Sequence, residues 1–303
     1  MKIDIFGGAG FIGTNLALEL AKEHTVAVYD NLVCGDHNLT VLLEAGIHWN
    51  NWDIRDDHQL NETPDIIINL ACPASPTKYK IMPEFTMDTC VAGTLKVLAH
   101  ASFNNSYIIH ASSSEIYGHV DGFIDEQVKG SCNSIGPRSM YAEGKRAAEA
   151  IISNYWAKGG SASILRIFNT YGPYMDLDDG RVIPSFIKNV LAEKPLSVEN
   201  PGTQQRSFMY ISDLVRAFKY LIENRPTDVY NVGNVKENLS INQLAALFGR
   251  LYGGFTEDVQ GRAEEIMHRS PSISKIYDEF GWEPYVNLTN GIQRTMEWAT
   301  SKK

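Results

Sequence analysis

Tyr141 and Lys145, in Tyr-Ala-Glu-Gly-Lys, stand four residues apart. On a helix that spacing puts both on one face. A cation beside a phenol favours the phenolate and lowers its pKa toward neutrality. A phenolate can take the proton of a substrate hydroxyl while hydride leaves the same carbon. Alone the pair carries little weight, because such a spacing arises readily by chance. Its context gives it weight. Ser112-Ser113-Ser114-Glu115 ends an apolar run upstream in the chain. In parallel α/β sheets, ligands gather at the carboxyl ends of strands.

A departing hydride needs an acceptor. Gly7, Gly10 and Gly13 give G-x-x-G-x-x-G spacing between an apolar run and a helical pattern. Such a turn lets the backbone approach a pyrophosphate and aims a helix N-terminus at it. Asp30 ends the next apolar run. A carboxylate there binds both adenosine ribose hydroxyls and repels a 2′-phosphate, which selects NAD over NADP.

The elements that must hold these groups follow from periodicity. Strands are predicted at Lys2–Phe6, Thr25–Tyr29, Ile47–Asn51, Asp65–Ala71, Ser106–Ser112 and Ser161–Phe168. Helices are predicted at Phe11–Lys22, before Gly46, from Pro83 to about Phe103, and from Tyr141 to about Lys158. This alternation predicts an α/β chain with a Rossmann-type doubly wound parallel sheet. After about Gly172 the turns become denser, and a smaller C-terminal α/β substrate lobe is expected. The division is residues 1–172, mainly binding NAD, and 173–303, mainly binding substrate, with Val229–Val232 a candidate to return to the main sheet. Leu244–Leu251 and Leu288–Ala299 read as later helices.

Composition bounds the chemistry. The 303 residues carry 27 Lys plus Arg against 36 Asp plus Glu, a net charge of −9. Such a balance argues against nucleic acid or an anionic membrane as partner, while leaving room for an anionic small molecule held by a few arginines. Four cysteines without C-x-x-C spacing and eight histidines without ligand spacing give no expected metal site or disulfide framework. No apolar run approaches membrane-spanning length. A first strand at Lys2 leaves no room for a leader peptide, so a cytoplasmic location is expected.

The order glycine turn, Asp30, Ser-Ser-Ser-Glu-Ile-Tyr-Gly and Tyr-x-x-x-Lys resembles the extended short-chain dehydrogenase/reductases acting on nucleotide sugars. Within them, segments 70–76 (LACPASP), 135–139 (IGPRS), 166–173 (RIFNTYGP), 178–182 (DDGRV) and 206–213 (RSFMYISD) resemble the UDP-glucuronic acid decarboxylases, or UDP-xylose synthases. Segment 269–273 (RSPSI) matches the Arg-x-Pro-Ser-Ile of the related decarboxylase of aminoarabinose synthesis, where the arginine serves the carboxylate.

The resemblance implies roles. Gly7, Gly10, Phe11 and Ile12 would hold the NAD pyrophosphate. Asp30 and Asn31 would hold the adenosine ribose, and Asp53 with Ile54 would border adenine. Leu70, Ala71, Thr89 and Ala111 would line the cofactor cleft. Thr170, Tyr171 and Arg181 would approach the nicotinamide half. Ser113 would position the sugar hydroxyl, with Tyr141 the base and Lys145 tuning it and holding ribose. Ser114 and Glu115 would face the reacting ring, and Asn169, Arg206 and Arg269 would surround the diphosphate or ring. Read without the resemblance, Arg206 and Arg269 are ordinary surface ion-pair residues.

The implied reaction oxidises C4 of a UDP-hexuronate, giving a β-keto acid that loses carbon dioxide. The product is UDP-xylose or its 4-keto form. Rivals within the resemblance are a dTDP-glucose-type 4,6-dehydratase and a 4-epimerase. A dehydratase typically carries Asp-Glu where this chain has Ser114-Glu115. Members that only bind dinucleotide, as sensors, usually lose one of Ser113, Tyr141 and Lys145, and all three are present. The chain departs from the family at Phe6, Asp88, Cys90 and Tyr174. An acid at 88 facing the sugar would repel a uronate carboxylate. A homodimer through Pro83–Phe103 and Tyr141–Lys158 is also expected, since both stretches are apolar on more than one side.

Overall fold

A computed structural model describes residues 1–57, 63–120, 122–261 and 266–301. Its centre is a seven-stranded parallel sheet. The strands are β1 (Lys2–Phe6), β2 (Thr25–Tyr29), β3 (His48–Asn50), β4 (Ile66–Asn69), β5 (Tyr107–Ser113), β6 (Ala162–Ile167) and β7 (Val229–Val232), in the order β7-β6-β5-β4-β1-β2-β3. The inner strands β4 and β5 are buried along their whole length. Helices cover both faces, so the apolar runs predicted as strands find cover on either side. The Rossmann-type expectation holds, and Val229–Val232 does rejoin the main sheet, beside β6.

Strand order reverses at β1, which has β2 on one side and β4 on the other. Consecutive connections there leave in opposite directions, and a crevice opens beyond the carboxyl ends. Into that crevice β1 delivers the glycine turn, β2 delivers Asp30 and β5 delivers Ser113.

One predicted element differs. The stretch from Pro83 is not a uniform helix but Pro83–Asp88, a wider turn at Thr89–Gly93, then Thr94–Asn104. The Thr86 and Thr89 hydroxyls each donate to the carbonyl four residues back, at 2.7 Å. Such back-bonding competes with the helical ladder and bends it.

The later chain is organised by a buried carboxylate. Asp213, in the helix Ile211–Asn224, accepts from the Tyr285 and Val286 amides at 3.1 and 3.0 Å and pairs with Arg216 at 2.8 Å. Its own carbonyl accepts from the Trp282 indole at 3.1 Å. These bonds fix segment 282–286 before the helix Leu288–Ser301. Phe186, Phe218, Phe248 and Trp282 continue the apolar core laid down under the sheet by Ile5, Leu16 and Ile68.

Candidate active site

The glycine turn is built for close approach. Gly7 has φ of +74°, and a Cβ there would lie 2.7 Å from the Ala71 nitrogen at the end of β4. A Cβ on Gly13 would lie 2.5 Å from the Gly8 Cα. Gly10 is different. A Cβ there would meet only the Gly7 carbonyl oxygen, at 3.4 Å. It caps the helix Phe11–Leu20 with no side-chain hydrogen bond. The uncapped first turn therefore presents N–H groups and positive dipole, suited to a phosphate.

Asp30 accepts from the Ala9 and Leu32 amides at 3.0 and 2.8 Å, and burial pushes its carboxyl up. Asn31 donates to Asp53 at 3.0 Å. Asp53 is held by Arg55 through two bonds of 2.9 and 2.7 Å, and those bonds lower its pKa. Arg55 also pairs with Asp88 at 3.1 Å and lies 3.9 Å above the Phe85 ring. Asp88 thus belongs to the Asp53 cluster and borders neither cavity described here. The expected repulsion between Asp88 and a sugar carboxylate has no geometric basis. Arg55, the cause, is signalled in sequence only by lying two residues from Asp53.

These groups wall a cavity of about 310 Å³. Every cofactor residue implied above borders it except Tyr171. Tyr171 turns into the core, where its hydroxyl donates to the Leu288 carbonyl at 3.2 Å and its ring meets Tyr210 edge-on. Thr170 and Arg181 keep their implied place. The bare glycine at a helix N-terminus, with a carboxylate at the end of the next strand, fits a dinucleotide.

At the inner end of this cavity the helix Ser139–Ala157 presents Tyr141 and Lys145, both buried. Tyr141 faces the Ser113 hydroxyl, which eases its ionisation, and is stacked on Tyr79, with centroids 5.0 Å apart. Tyr79 carries no sequence motif that would single it out. The Lys145 ammonium donates to the Ala111 carbonyl at 2.7 Å. Burial dominates, so the Tyr141 phenol is pushed up rather than down, with Cys72 and Glu115 adding to it. In this arrangement burial, not Lys145, dominates the phenol. Ser112, Ser113 and Ser114 all border the cavity, and the Ser112 hydroxyl donates to Glu149.

A second cavity of about 220 Å³ adjoins the first, sharing Tyr79, Glu115, Asn169 and Thr170 as walls. Its charged lining is Arg138, Arg181, Arg206 and Arg269 against Glu115 and Glu199. In a chain of net charge −9 this is a local excess of positive charge. Arg206 lies on the strand Gln205–Ser207 and Arg269 precedes the short strand Ser270–Pro271, which pairs with Phe123–Ile124. Arg269 is only 2 % exposed and binds Glu115 through one nitrogen. Its Nε and Nη2 have no partner among the described residues. Arg269 is therefore not a surface ion-pair residue. Arg138 reaches Glu115 from the other side at 3.5 Å. Burial raises the Glu115 carboxyl, but Arg269, Arg138 and Arg206 outweigh it, and the net shift is downward. Sequence reasoning missed Arg138; its spacing, three residues before Tyr141, was the available signal.

Among the described residues no cluster of three or more metal-ligating side chains occurs, and no helix is long and apolar enough to cross a membrane.

A doubly wound sheet with a glycine-turn dinucleotide cleft, a buried Ser-Tyr-Lys set and an adjoining cationic cavity defines a short-chain dehydrogenase/reductase-type enzyme. The model of the NAD dependent epimerase/dehydratase family matches residues 3–233, and the chain belongs to that family. It is 40% identical to UDP-glucuronic acid decarboxylase 6 of Arabidopsis thaliana, over 96% of this chain and 87% of that protein. Among solved structures it is similar to a UDP-glucose 4-epimerase from Thermotoga maritima with UDP-glucose, with TM-score 0.91, 25% identity and coverage of 100% and 99%. It is similar also to a UDP-glucuronic acid 4-epimerase from Bacillus cereus with UDP-glucuronic acid and NAD, with TM-score 0.90, 25% identity and full coverage of both chains.

Proposed function

We propose that this chain is an NAD-dependent UDP-glucuronate decarboxylase that oxidises C4 of the sugar and releases the C6 carboxylate as carbon dioxide. The observation that carries the reading is the arginine cluster around an ionised Glu115. A site with more guanidinium than carboxylate attracts an anionic sugar, and the planar fork of arginine fits a carboxylate or phosphate with two bonds.

NAD, held by the glycine turn and Asp30, supplies the hydride acceptor at C4. Tyr141 takes the C4 hydroxyl proton, and Ser113, beside it in the cavity, orients that hydroxyl. Lys145 holds the ribose side of the cleft and the Ala111 carbonyl. Arg269 has two nitrogens with no partner among the described residues, and Arg138 also reaches Glu115. Once C4 is a ketone, the carbon–carboxylate electrons flow into it, and C5 is then reprotonated.

The dehydratase alternative asks Glu115 to protonate a leaving C6 hydroxyl. A carboxyl held below its ordinary range by arginines is a poor acid for that step. The test is product mass from UDP-glucuronate, UDP-glucose and dTDP-glucose with the wild-type protein. Loss of carbon dioxide from the uronate is expected. Loss of water from a neutral sugar, or an isomer of unchanged mass from the uronate, would replace this reading with dehydratase or epimerase.

Two further parts of the proposal concern organisation. Residues 173–303 mainly serve the substrate, and the chain works as a cytoplasmic homodimer. Much of the apolar surface expected to pair copies is used internally, because Leu98, Ala148 and Ile152 are buried within the chain. Leu95 and Phe103 remain exposed on Thr94–Asn104 and support the dimer face. A monomeric mass by light scattering would remove it.

A further inference from the structure

Two thiols that the proposed reaction leaves unused meet beside it. Cys72 follows Ala71 in the loop after β4 and borders the cofactor cavity. Cys90 lies in the wide turn Thr89–Gly93 and is 2 % exposed. Their sulfurs are 3.4 Å apart, with one thiol donating to the other. The chain holds this pair against the catalytic helix. A Cβ on Gly144, one residue before Lys145, would lie 3.2 Å from the Cys90 sulfur. The hydrogen bond from Cys72, with help from Lys145, lowers the Cys90 thiol despite burial, while Cys72 is raised by the same bond. The contact therefore favours the thiolate, the reactive form, at Cys90.

We infer that Cys72 and Cys90 are an oxidisable thiol pair, joined into a disulfide by a peroxide-class oxidant that enters through the cofactor cavity. The thiolate attacks one peroxide oxygen, the O–O bond breaks, and hydroxide leaves and takes a proton to become water. The second sulfur then attacks the sulfenic sulfur. The S–O bond breaks, and the second thiol's proton leaves with that oxygen as water. Two thiols lose two electrons and two protons, and hydrogen peroxide becomes two waters.

A disulfide brings the sulfurs to about 2 Å, so the two segments must close on each other. The neighbours dragged along are Ala71 and Thr89, both walls of the cofactor cavity. Oxidation should thus weaken NAD binding, and bound NAD should shield the pair. The effect on NAD rests on the cofactor reading of this cavity, whereas the linkage itself does not.

The experiment treats the purified full chain with hydrogen peroxide, blocks remaining thiols, and maps peptides by mass spectrometry. The expected result is a Cys72–Cys90 linked peptide lighter by two hydrogens, slower to form with saturating NAD. NAD binding should weaken by roughly fivefold, a change easily resolved by titration, and recover with dithiothreitol. Cys90→Ser should keep reduced-state activity and lose the peroxide response. Both thiols remaining fully alkylated, or a link from Cys72 to Cys34, overturns the inference; a formed link that leaves NAD affinity unchanged keeps the linkage and overturns its effect on the cofactor cavity. Should Cys90→Ser fail to fold, the wild-type peptide map alone decides the linkage.

Discussion

The two cavities are built by opposite strategies. In the cofactor cavity the glycine turn and Asp30 each follow the end of a strand and are fixed by backbone contacts. Asp30 is held by the amides of Ala9 and Leu32, and Gly7 is pressed against Ala71. In the arginine cavity the groups come from distant parts of the chain. Glu115, Arg138, Arg206 and Arg269 are brought together by the antiparallel pairing of Gln205–Ser207 with Asn238–Ser240 and by the seating of Ser270–Pro271 beside Phe123–Ile124. The first is local geometry on a rigid sheet, and the second is electrostatics assembled by tertiary contacts. The cofactor half should therefore tolerate loss of a charge better than the substrate half, where each charge is buried against another.

The largest effect should come where the two cavities meet. Tyr141→Phe removes the proposed proton acceptor, and turnover of UDP-glucuronate should fall by about 10² to 10⁴ with NAD affinity kept. A mild loss, measured as carbon dioxide release, would mean that another group takes the proton.

Next is Arg269→Ala, which strands Glu115 against fewer cations. Breaking a buried pair typically costs about 3–5 kcal/mol, so both thermal midpoint and uronate turnover should drop. The pH dependence has a definite sign. The folded Glu115 carboxyl lies below its ordinary value. Its pairing contributes fully above the ordinary glutamate range and is lost as pH falls through the folded value. The midpoints of wild type and variant should therefore converge in acid. A gap that widens in acid would contradict the pairing.

Asp30→Ala should act more narrowly. It should weaken NAD by about 1.5–3 kcal/mol, roughly ten- to a hundredfold, and narrow the preference for NAD over NADP. Unfolding should change little, because the two amides it satisfies lie beside the open cavity. Equal NAD and NADP affinity in the wild type would break this half of the comparison.

The smallest effect is expected from Asp88→Ala. Its partner Arg55 keeps two bonds to Asp53, and Asp88 is largely exposed. Exposed pairs contribute about 0–1 kcal/mol. The ratio of UDP-glucuronate to UDP-glucose affinity should not move. A rise in uronate preference would return Asp88 to the sugar's surroundings.

The sequence by itself determined the sheet and the cofactor cavity. Parallel strands buried on both faces write themselves as apolar runs, and a turn that tolerates no Cβ writes itself as glycine. Such requirements act within one strand–turn–helix unit, so spacing records them. The family resemblance extended this to Glu115 and Arg269, but spacing could not say that Arg269 is buried or that Arg138 shares its carboxylate. Nor could it say that Asp88 turns to Arg55, that Tyr171 borders the second cavity rather than the first, or that Lys145 bonds the Ala111 carbonyl. Those were decided by tertiary packing alone. A charged side chain's partner depends on which distant segment the core brings beside it, and the shift of a phenol or carboxyl depends on the burial and charges gathered there. For Tyr141 burial dominated, with Cys72 and Glu115 adding to it, and for Glu115 the three arginines outweighed burial.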